Sequence, residues 1–398
     1  MSRLNIIGGT YVEKCVDPHY QELFGSGLRG AAALSEKGFD ITFHSCICKE
    51  NEQIALMKAK TYGFETILHN IEKTTEFHYY HPLSPPVIIN VRKEVLELPS
   101  LKKDNFLYYG MIEANTKISG KYVVYDPQNH KSFKETNSSA EHLALILNKK
   151  EAEILHRKKN SNLEKIGKEL LKSEEADVIV IKNGSQGALV FYENDVFSIP
   201  VFFTNKVWPI GSGDIFSAIF AWKWIMEKKT PYESAYAASK SVAHYCENQQ
   251  LPLPSTENLQ YKEISKPSKN NKVYLAGPFF TIGERFLINE LRNALNEFGN
   301  TVFSPLHEVG ALYDSYSETE ATEITEHNLN EIRDCDVVLS VISGNETGTL
   351  YEIGYAKALK KKIVILAENM KISDLTLLVG SNCIITKDLS TAVYKTSW

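Results

Sequence analysis

The chain lacks the cysteine patterns that would define a disulfide-stapled or metal-bound protein. Six cysteines occur in 398 residues, and only Cys46 and Cys48 lie close together. Neither the paired spacing of a zinc site nor that of a redox motif is present. Alternation along "ITFHSCICKE" places both residues on one face of a predicted strand, so we expect reduced thiols that pack in the core.

Long apolar runs and an excess of positive charge are also missing. No stretch reaches the roughly 18 apolar residues that a membrane-spanning helix needs, and residues 1–10 lack the basic start and apolar core of a signal peptide. We therefore expect a cytoplasmic protein with no membrane partner. The net charge of −5 gives no general attraction for a nucleic-acid polymer, so the expected partners are small molecules.

What the sequence does contain is the composition of a folded globular protein, with 43% hydrophobic and 23% charged residues. Apolar segments such as "LNIIGG", "KYVVYDP", "DVIVIKNG" and, after residue 270, "KVYLAGP", "DVVLSVI" and "KIVILAE" alternate with helical patterns. This order predicts parallel α/β sheets. Residues 247–271, rich in Pro, Ser and Asn, are predicted to link a domain over 1–246 to a second over 272–398.

One segment of the first domain has a different pattern. "TTEFHYYHPLSPPVIINVRKE" alternates aromatic and small residues and is interrupted by three prolines. This predicts strands at an exposed sheet edge, in a lid or a dimer contact.

The strongest pattern of the second domain is "NETGTLYEIGYAKALKKKIVIL". A turn at Gly348 follows a predicted strand, and Glu352 lies on the helix that comes next. Ligands of open parallel sheets bind at the carboxyl ends of the strands, so Glu352 is expected to face a crevice. In "YLAGPFFTIGER" a turn at residues 277–278 leads to Thr281, Glu284 and Arg285, at a helix start that would favour an anion.

These segments, with "VFSPLHEVG" and "NLNEIRDCDVVLSVISG", resemble the nucleoside 2-deoxyribosyltransferases and their N-glycosidase relatives over nearly all of 272–398. The resemblance implies a flavodoxin-like, doubly wound parallel sheet and no cofactor. It implies that Glu352 is the nucleophile at the anomeric carbon and that Tyr274 orients it. Glu346 falls where an acid protonates or holds the departing base, and Asn328 where an aspartate contacts that base. The other substrate-binding positions it implies are Gly277, Pro278, Arg285 and Gly348.

Near the end of the first domain, "NKVWPIGSGDIFSAIFAWKWIMEKK" joins a glycine turn to an apolar helix. Backbone amides of Gly211, Ser212 and Gly213 at a helix start can hold an anion, and Asp214 beside them can accept a proton from an attacking hydroxyl. Phosphoryl transfer needs both parts.

With "GSGLRGAAALSEKG", "YDPQN", "LNKKEAEIL" and "VIVIKNGSQGALV", this motif resembles the PfkB family of ribokinase-like carbohydrate and nucleoside kinases over about residues 4–246. The resemblance implies ATP with Mg²⁺ and Asp214 as the catalytic base. The further positions it implies are Gly27 and Gly30 at the sugar, Asn183, Gly184 and Gly187 at the nucleotide, and Asn148 and Glu151 acting indirectly on Mg²⁺. Trp208, Pro209 and Ile210 replace the residues that usually serve a potassium site, and Arg29 lies near a position usually taken by a sugar-binding asparagine.

Both resemblances imply ribosyl ligands, so we expect an enzyme of nucleoside or nucleotide metabolism and, from the second family, a homo-oligomer. Glu352 would cleave or exchange an N-glycosidic bond, and the first domain would phosphorylate or bind a ribosyl compound. One alternative is a defence or toxin-type N-glycosidase acting on nucleotides or NAD, with the first domain as a sensor. Another is a non-catalytic nucleotide-binding scaffold. Transfer or hydrolysis, ribose or 2-deoxyribose, and the presence of a phosphate on the ligand stay open.

Overall fold

The computed structural model describes residues 2–128, 131–157, 162–264, 270–310, 317–344, 346–368 and 370–398. The chain divides into two compact units, Met1–Ser265 and Lys266–Trp398. Residues 247–264 therefore belong to the first unit, although we predicted a linker over 247–271. The reason is that apolar residues within this polar segment are buried, among them Leu253 and Leu259, and that its last residues pair with another strand.

The first unit is built on a ten-stranded sheet with the order β16-β15-β14-β13-β12-β10-β1-β4-β5, in which β9 pairs with β12. In this spatial order, all neighbouring strands from β14 to β5 are parallel. The pairs β14–β15 and β15–β16 are antiparallel. The strands are β1 (Arg3–Ile7), β2 (Val12–Cys15), β3 (Tyr20–Leu23), β4 (Asp40–Ile47), β5 (Glu65–Asn70), β6 (Glu76–Tyr79), β7 (Val87–Ile89), β8 (Leu96–Glu97), β9 (Leu101–Lys102), β10 (Asn105–Tyr109), β11 (Ala114–Asn115), β12 (Ile118–Asp126), β13 (Ser139–Asn148), β14 (Val178–Lys182), β15 (Ala188–Tyr192), β16 (Asp195–Ile199), β17 (Val201–Phe202) and β18 (Glu263–Ile264).

Helices cover both faces of this sheet. They are α1 (Gly25–Leu34), α2 (Lys49–Tyr62), α3 (Lys149–His156), α4 (Leu163–Ser173), α5 (Ser212–Ala221) and α6 (Pro231–Asn248). One apolar cluster joins the sheet to α1, α5 and α6, and a second joins its other face to α3 and α4. Burial on both faces explains why the central strands are continuous apolar runs in the sequence.

A separate four-stranded sheet has the order β3-β2-β6-β7. Two of its strands, β6 and β7, come from the proline-interrupted segment, and β7 is the edge strand. Val87 at this edge is 65% exposed. The prediction of strands at an exposed edge is therefore confirmed for β7 but is wrong for β6, which lies between β2 and β7. A role for this sheet as a lid or dimer contact stays a prediction.

The second unit is a five-stranded parallel sheet with the order β20-β19-β21-β22-β23. Its strands are β19 (Lys272–Ala276), β20 (Thr301–Phe303), β21 (Val337–Val341), β22 (Lys362–Leu366) and β23 (Ile384–Thr386), and its helices are α7 (Ile282–Glu297), α8 (Pro305–Glu308), α9 (Glu318–Asp334), α10 (Thr347–Ala358), α11 (Thr376–Gly380) and α12 (Leu389–Ser397). Counted within this unit, the strand order is 2-1-3-4-5, which is the flavodoxin-like order that we expected. Its switch point lies between β19 and β21, where Tyr274 pairs with Val338.

Among the described helices, none is both long enough and apolar enough to cross a membrane.

Candidate active sites

A cavity of about 220 Å³ opens in the second unit, close to where β19 and β21 end. This is the switch point of the sheet, the position at which ligands of such folds bind. Most of its described wall is apolar and includes Phe279, Phe280, Pro305, Val309 and Ile324. The charged groups in the described lining are two carboxylates, those of Glu346 and Glu352.

Glu352 lies on α10 and faces this cavity. Its Oε1 accepts a hydrogen bond of 2.5 Å from the hydroxyl of Tyr274 on β19, and among the described residues Oε2 accepts none. The pKa of Glu352 is raised to about 7, chiefly by burial; the hydrogen bond from Tyr274 lowers this pKa and the nearby Glu346 raises it, and the value includes both effects. Burial and the adjacent Glu352 raise the pKa of Tyr274, so the phenol stays protonated and acts as a donor.

Glu346 has a structural duty as the residue that caps α10. Its two side-chain oxygens accept hydrogen bonds from the amides of Gly348, at 2.6 Å, and Thr349, at 2.5 Å. A carboxylate in this position offsets the positive end of the helix dipole. The cap holds Glu346 in the wall of the cavity as a fixed negative charge.

Asn328 reaches the cavity from α9. Its side-chain oxygen is buried and accepts no hydrogen bond from the described residues. A buried polar atom without a partner is costly, so this amide is ready to bond a ligand. Asn328 has no ionisable proton and cannot act as a general acid.

The loop after β19 places the other predicted substrate residues differently. Gly277 lines the cavity, and a Cβ there would lie 2.7 Å from Ile288 Cδ1. Pro278 is buried and lies outside the cavity lining. Arg285 is not in the lining either; its Nε donates to the carbonyl of Phe279 at 2.8 Å. Arg285 therefore braces the loop that carries Phe279.

The start of α7, where we expected an anion, is satisfied by the chain itself. Thr281 caps the amide of Glu284, while the carboxylate of Glu284 accepts the amides of Phe280, at 3.0 Å, and Thr281, at 2.8 Å. This is a capping box. Because the capping box already engages the amides of Phe280, Thr281 and Glu284 and places a carboxylate at the helix start, the structure gives no support for an anion site at α7.

The first unit has a cavity of about 260 Å³ whose described lining is mostly polar. Gly211 precedes α5 and has a φ of +80°. This value lies in the left-handed region that favours glycine. Gly211 and Gly213 line the cavity together with Asp214, whereas Ser212 lies outside the lining. The predicted glycine turn and acid therefore lie at one site.

The carboxylate of Asp214 is held by other side chains of the same cavity. Its Oδ2 accepts a 2.7 Å bond from Arg29 Nη1, and its Oδ1 accepts a 2.7 Å bond from Gln128. Arg29 also forms a two-point ion pair with Glu13. The Tyr109 hydroxyl donates to the backbone carbonyl of Asp214 at 2.7 Å. Neither Glu13 nor Gln128 was singled out from the sequence.

A second cation, Lys182, lines the same cavity. Lys182 at the end of β14 pairs with Asp126 at 3.1 Å, and Ser217 donates to the same carboxylate at 2.6 Å. Asn148 and Glu151 line the cavity and cap each other at the start of α3. Burial, followed by repulsion from Asp126, raises the pKa of Glu151 to about 7.

Glu151 is buried close to a second carboxylate, that of Asp126. Two neighbouring carboxylates are the charge expected around a bound cation. The described residues nevertheless contain no group of three or more His, Cys, Asp or Glu arranged to hold a metal. An indirect role for Asn148 and Glu151 towards Mg²⁺, through water or phosphate, therefore stays a prediction. Lys182 was missed from the sequence, although its place at the carboxyl end of a buried strand, just before a glycine turn, was a usable signal.

Several glycines that we assigned to ligand binding have packing roles instead. A Cβ on Gly27 would lie 2.6 Å from Phe43 Cε2, and one on Gly30 would lie 2.7 Å from the hydroxyl of Tyr109. Neither lines the cavity; its lining from this part of the chain includes Gly25, Ser26 and Arg29. The nucleotide positions predicted between β14 and β15, which are Asn183, Gly184 and Gly187, form a tight turn outside the lining.

Comparisons with known proteins find one family match in each unit. The family described as nucleoside 2-deoxyribosyltransferase matches residues 273–381, and the pfkB family of carbohydrate kinases matches residues 101–249. No curated protein sequence matches the chain significantly.

Solved structures similar to the chain are kinases of the ribokinase type. A nucleoside kinase from Methanocaldococcus jannaschii is 15% identical, with a TM-score of 0.47, over 63% of this chain and 95% of that one. Ribokinase from Thermotoga maritima is 16% identical, with a TM-score of 0.43, over 65% and 96%. Phosphofructokinase-2 from Escherichia coli is 11% identical, with a TM-score of 0.47, over 65% and 98%. The two family matches confirm the two expected folds.

Proposed function

We propose that the chain joins a carbohydrate kinase domain of the pfkB type to a domain of the nucleoside 2-deoxyribosyltransferase type, and that the second domain cleaves or exchanges the N-glycosidic bond of a nucleoside. Glu352 is the nucleophile of this proposal. The observation that carries it is a buried carboxylate with one oxygen held by Tyr274 and the other free of described partners beside a cavity.

The arrangement suits nucleophilic displacement at a sugar carbon. Tyr274 holds the carboxylate in one orientation without neutralising its charge, so the geometry is set before substrate binds. The pKa of about 7 leaves about half of the Glu352 side chains ionised at neutral pH. The apolar wall excludes water around the reacting carbon, which strengthens electrostatic interactions at the site.

The proposed reaction is a double displacement at C1′ of the sugar. An oxygen of Glu352 forms a bond to C1′ while the bond from C1′ to the base nitrogen breaks, and its electron pair leaves with the base. The departing nitrogen takes up a proton from water, because Asn328 has none to give and both oxygens of Glu346 accept amide hydrogen bonds. Water or a second base then attacks C1′ and releases Glu352.

The charge of the cavity favours an unphosphorylated ligand. Its described lining contains two carboxylates and no Lys, Arg or His. Residues 311–316 and residue 345, next to lining residues in the chain, also include no Lys, Arg or His. The starts of both α7 and α10 are capped by the chain's own glutamates. A phosphate would meet repulsion with no compensating partner, so a neutral nucleoside is the proposed substrate.

Base release from a panel of substrates tests this function. Nucleosides, their 5′-monophosphates and NAD are incubated with the full chain, with and without a second free base, and the products are separated by chromatography. We expect release from nucleosides that is lost in Glu352→Gln and kept in Glu297→Gln, an exposed carboxylate on α7. No release from any substrate, or equal release by Glu352→Gln, would contradict the proposal.

We further propose that the enzyme works as a homo-oligomer. Phe280 at the cavity is 66% exposed, and Ile282 at the start of α7 is 89% exposed. Apolar groups with this exposure beside a ligand cavity fit a contact with a second copy. The mass of the chain in solution tests this, and a monomer at the concentration of the activity assay would contradict it.

A second candidate uses the same Glu352 chemistry against a nucleotide or NAD pool, with the first domain as a sensor. The observation that favours a sensor is that both carboxylate oxygens of Asp214 are already bonded. In this candidate, the phosphates of ATP with Mg²⁺ would bind beside Lys182, Asn148 and Glu151. Growth arrest on expression that requires Glu352, with falling nucleotide or NAD levels, would favour this candidate over nucleoside salvage.

A further inference from the structure

Arg29 is one of the most deeply buried charged residues of the chain. It lies on α1 and is 1% exposed. Its Nη1 donates to Glu13 Oε1 at 3.1 Å and to Asp214 Oδ2 at 2.7 Å, and its Nη2 pairs with Glu13 Oε2. Because two carboxylates engage both of its terminal nitrogens, this guanidinium is not available to attract an anionic ligand.

The guanidinium lies directly against the glycine turn that begins α5. A Cβ on Gly211 would be 2.3 Å from Arg29 Nε and 2.4 Å from its Cζ. Arg29 Nε is buried and has no hydrogen-bond partner among the described atoms. The side chain therefore fills the space between Glu13, the turn and Asp214.

Both carboxylate oxygens of Asp214 accept hydrogen bonds from described side chains. Arg29 takes one carboxylate oxygen and Gln128 takes the other. A general base must lie within hydrogen-bond distance of the hydroxyl that it deprotonates. Because Arg29 and Gln128 already bond the two oxygens of Asp214, a hydroxyl must compete with them for this carboxylate.

The same cavity has a second cation in its lining. Lys182, Asn148 and Gly213 line it, and the ammonium of Lys182 lies 3.3 Å from the position of a Cβ on Gly213. Lys182 donates to one described carboxylate, that of Asp126, so its ammonium keeps further donors for the phosphates of a nucleotide at this helix start. The cavity thus keeps the groups that bind a phosphate, while the acid in its lining has both oxygens bonded.

We propose that Arg29 occupies the acceptor position of the first unit, so that this unit binds a nucleotide but does not transfer its phosphoryl group. Arg29 is a positioning residue that locks Asp214, and Glu13 is its anchor. The proposal is independent of the chemistry of Glu352, because it concerns only the first unit.

Phosphoryl transfer by the full chain tests the lock. Wild type and Asp214→Asn are incubated with Mg²⁺ and ATP labelled at the γ-phosphate, together with the nucleosides of the substrate panel and free sugars. We expect equal label on every acceptor, within twofold, for both proteins. Transfer by wild type to any acceptor that is reduced more than tenfold in Asp214→Asn would overturn the proposal.

Binding and geometry are measured on the same protein. Calorimetry with the non-hydrolysable analogue AMP-PNP and Mg²⁺ should show binding that weakens at least tenfold in Lys182→Met; absence of binding by wild type would overturn the binding half. A crystal structure with this analogue should keep Arg29 Nη1 within about 3 Å of the Asp214 carboxylate. Separation of the pair, with Asp214 open to the cavity, would show that Arg29 is a movable gate and would overturn the lock.

Discussion

The two units each place an acidic residue near the start of a helix at the edge of a parallel sheet, and they leave these acids in opposite states. Glu352 shares one oxygen with a neutral phenol and has a second oxygen without a described partner. Asp214 has both oxygens bonded, one of them to a buried guanidinium. The motif alone therefore does not decide whether an acid is available for chemistry; its partners decide.

The difference lies in charge compensation as well as in geometry. Tyr274 orients Glu352 but brings no positive charge, so burial raises the pKa of Glu352 to about 7. Arg29 supplies a full positive charge to the pair of Glu13 and Asp214. A lone buried carboxylate stays reactive, whereas one in an ion pair becomes part of the structure.

The largest effect is expected from removing the available acid. Glu352→Gln keeps the shape of the side chain and loses the nucleophile, so base release should fall at least about 10³-fold. Chromatography of released base measures this. The matched Glu297→Gln variant should stay within twofold of wild type, and a comparable loss there would mean that the effect is not specific to Glu352.

Removing the cation from the locked acid should destabilise the first unit. Arg29→Met leaves Glu13 and Asp214 buried without compensation, which should cost about 3–5 kcal/mol in the free energy of unfolding. Urea unfolding followed by tryptophan fluorescence reports on this unit, because three of the four tryptophans lie within it. Arg3→Met serves as the control: Arg3 pairs with Asp40 and Glu65 at 46% side-chain exposure, and its loss should cost about 1 kcal/mol or less. Equal costs for the two variants would contradict a buried, structural ion pair.

Removing the hydroxyl of Tyr274 should loosen the orientation of Glu352 and change its titration. Base release by wild type should rise as the pH passes through about 7 and level off at higher pH, because the ionised form of Glu352 is the nucleophile. The Tyr274 hydrogen bond lowers the pKa of Glu352, so Tyr274→Phe should move the acidic limb of the profile to higher pH. The plateau rate should also fall, by about 10- to 100-fold. A pH–rate profile checks both effects, and a limb that stays at the same pH would separate Tyr274 from the titration.

The smallest effect is expected from the neighbouring negative charge. Glu346 raises the pKa of Glu352, so Glu346→Gln should move the acidic limb to lower pH, opposite to the shift in Tyr274→Phe. The glutamine can still cap α10 through its one side-chain oxygen, and the stability cost should be about 1 kcal/mol. Shifts of the same sign in both variants would contradict this assignment of charges.

The sequence was sufficient for the features that depend on local pattern. The apolar runs predicted both sheets, and the motifs that contain Tyr274 and Glu352 predicted two residues that lie in contact although 78 positions separate them. The capping box of Thr281 and Glu284 was also readable as a threonine followed three residues later by a glutamate. It would have warned that no anion was needed at α7.

Features that depend on long-range packing were not predicted from the sequence. Glu13 comes from the small sheet, Arg29 from α1 and Asp214 from α5, and no local pattern joins them. The prolines after residue 246 indicated a linker, but the burial of Leu253 and Leu259 against the first unit depends on the tertiary fold. Gly27 and Gly30 fit a ligand motif in the sequence, and only the positions of Phe43 and Tyr109 reveal their packing role.

Trapping the glycosyl-enzyme tests the central claim most directly. A nucleoside with fluorine at C2′, which destabilises the positive charge that develops at the sugar, should slow turnover of the intermediate. After incubation and acid quenching, peptide mass mapping should find the sugar mass on the peptide that carries Glu352, in a yield equal to the base released in the first turnover. Release of base without this adduct, or an adduct on a different residue, would contradict Glu352 as the nucleophile.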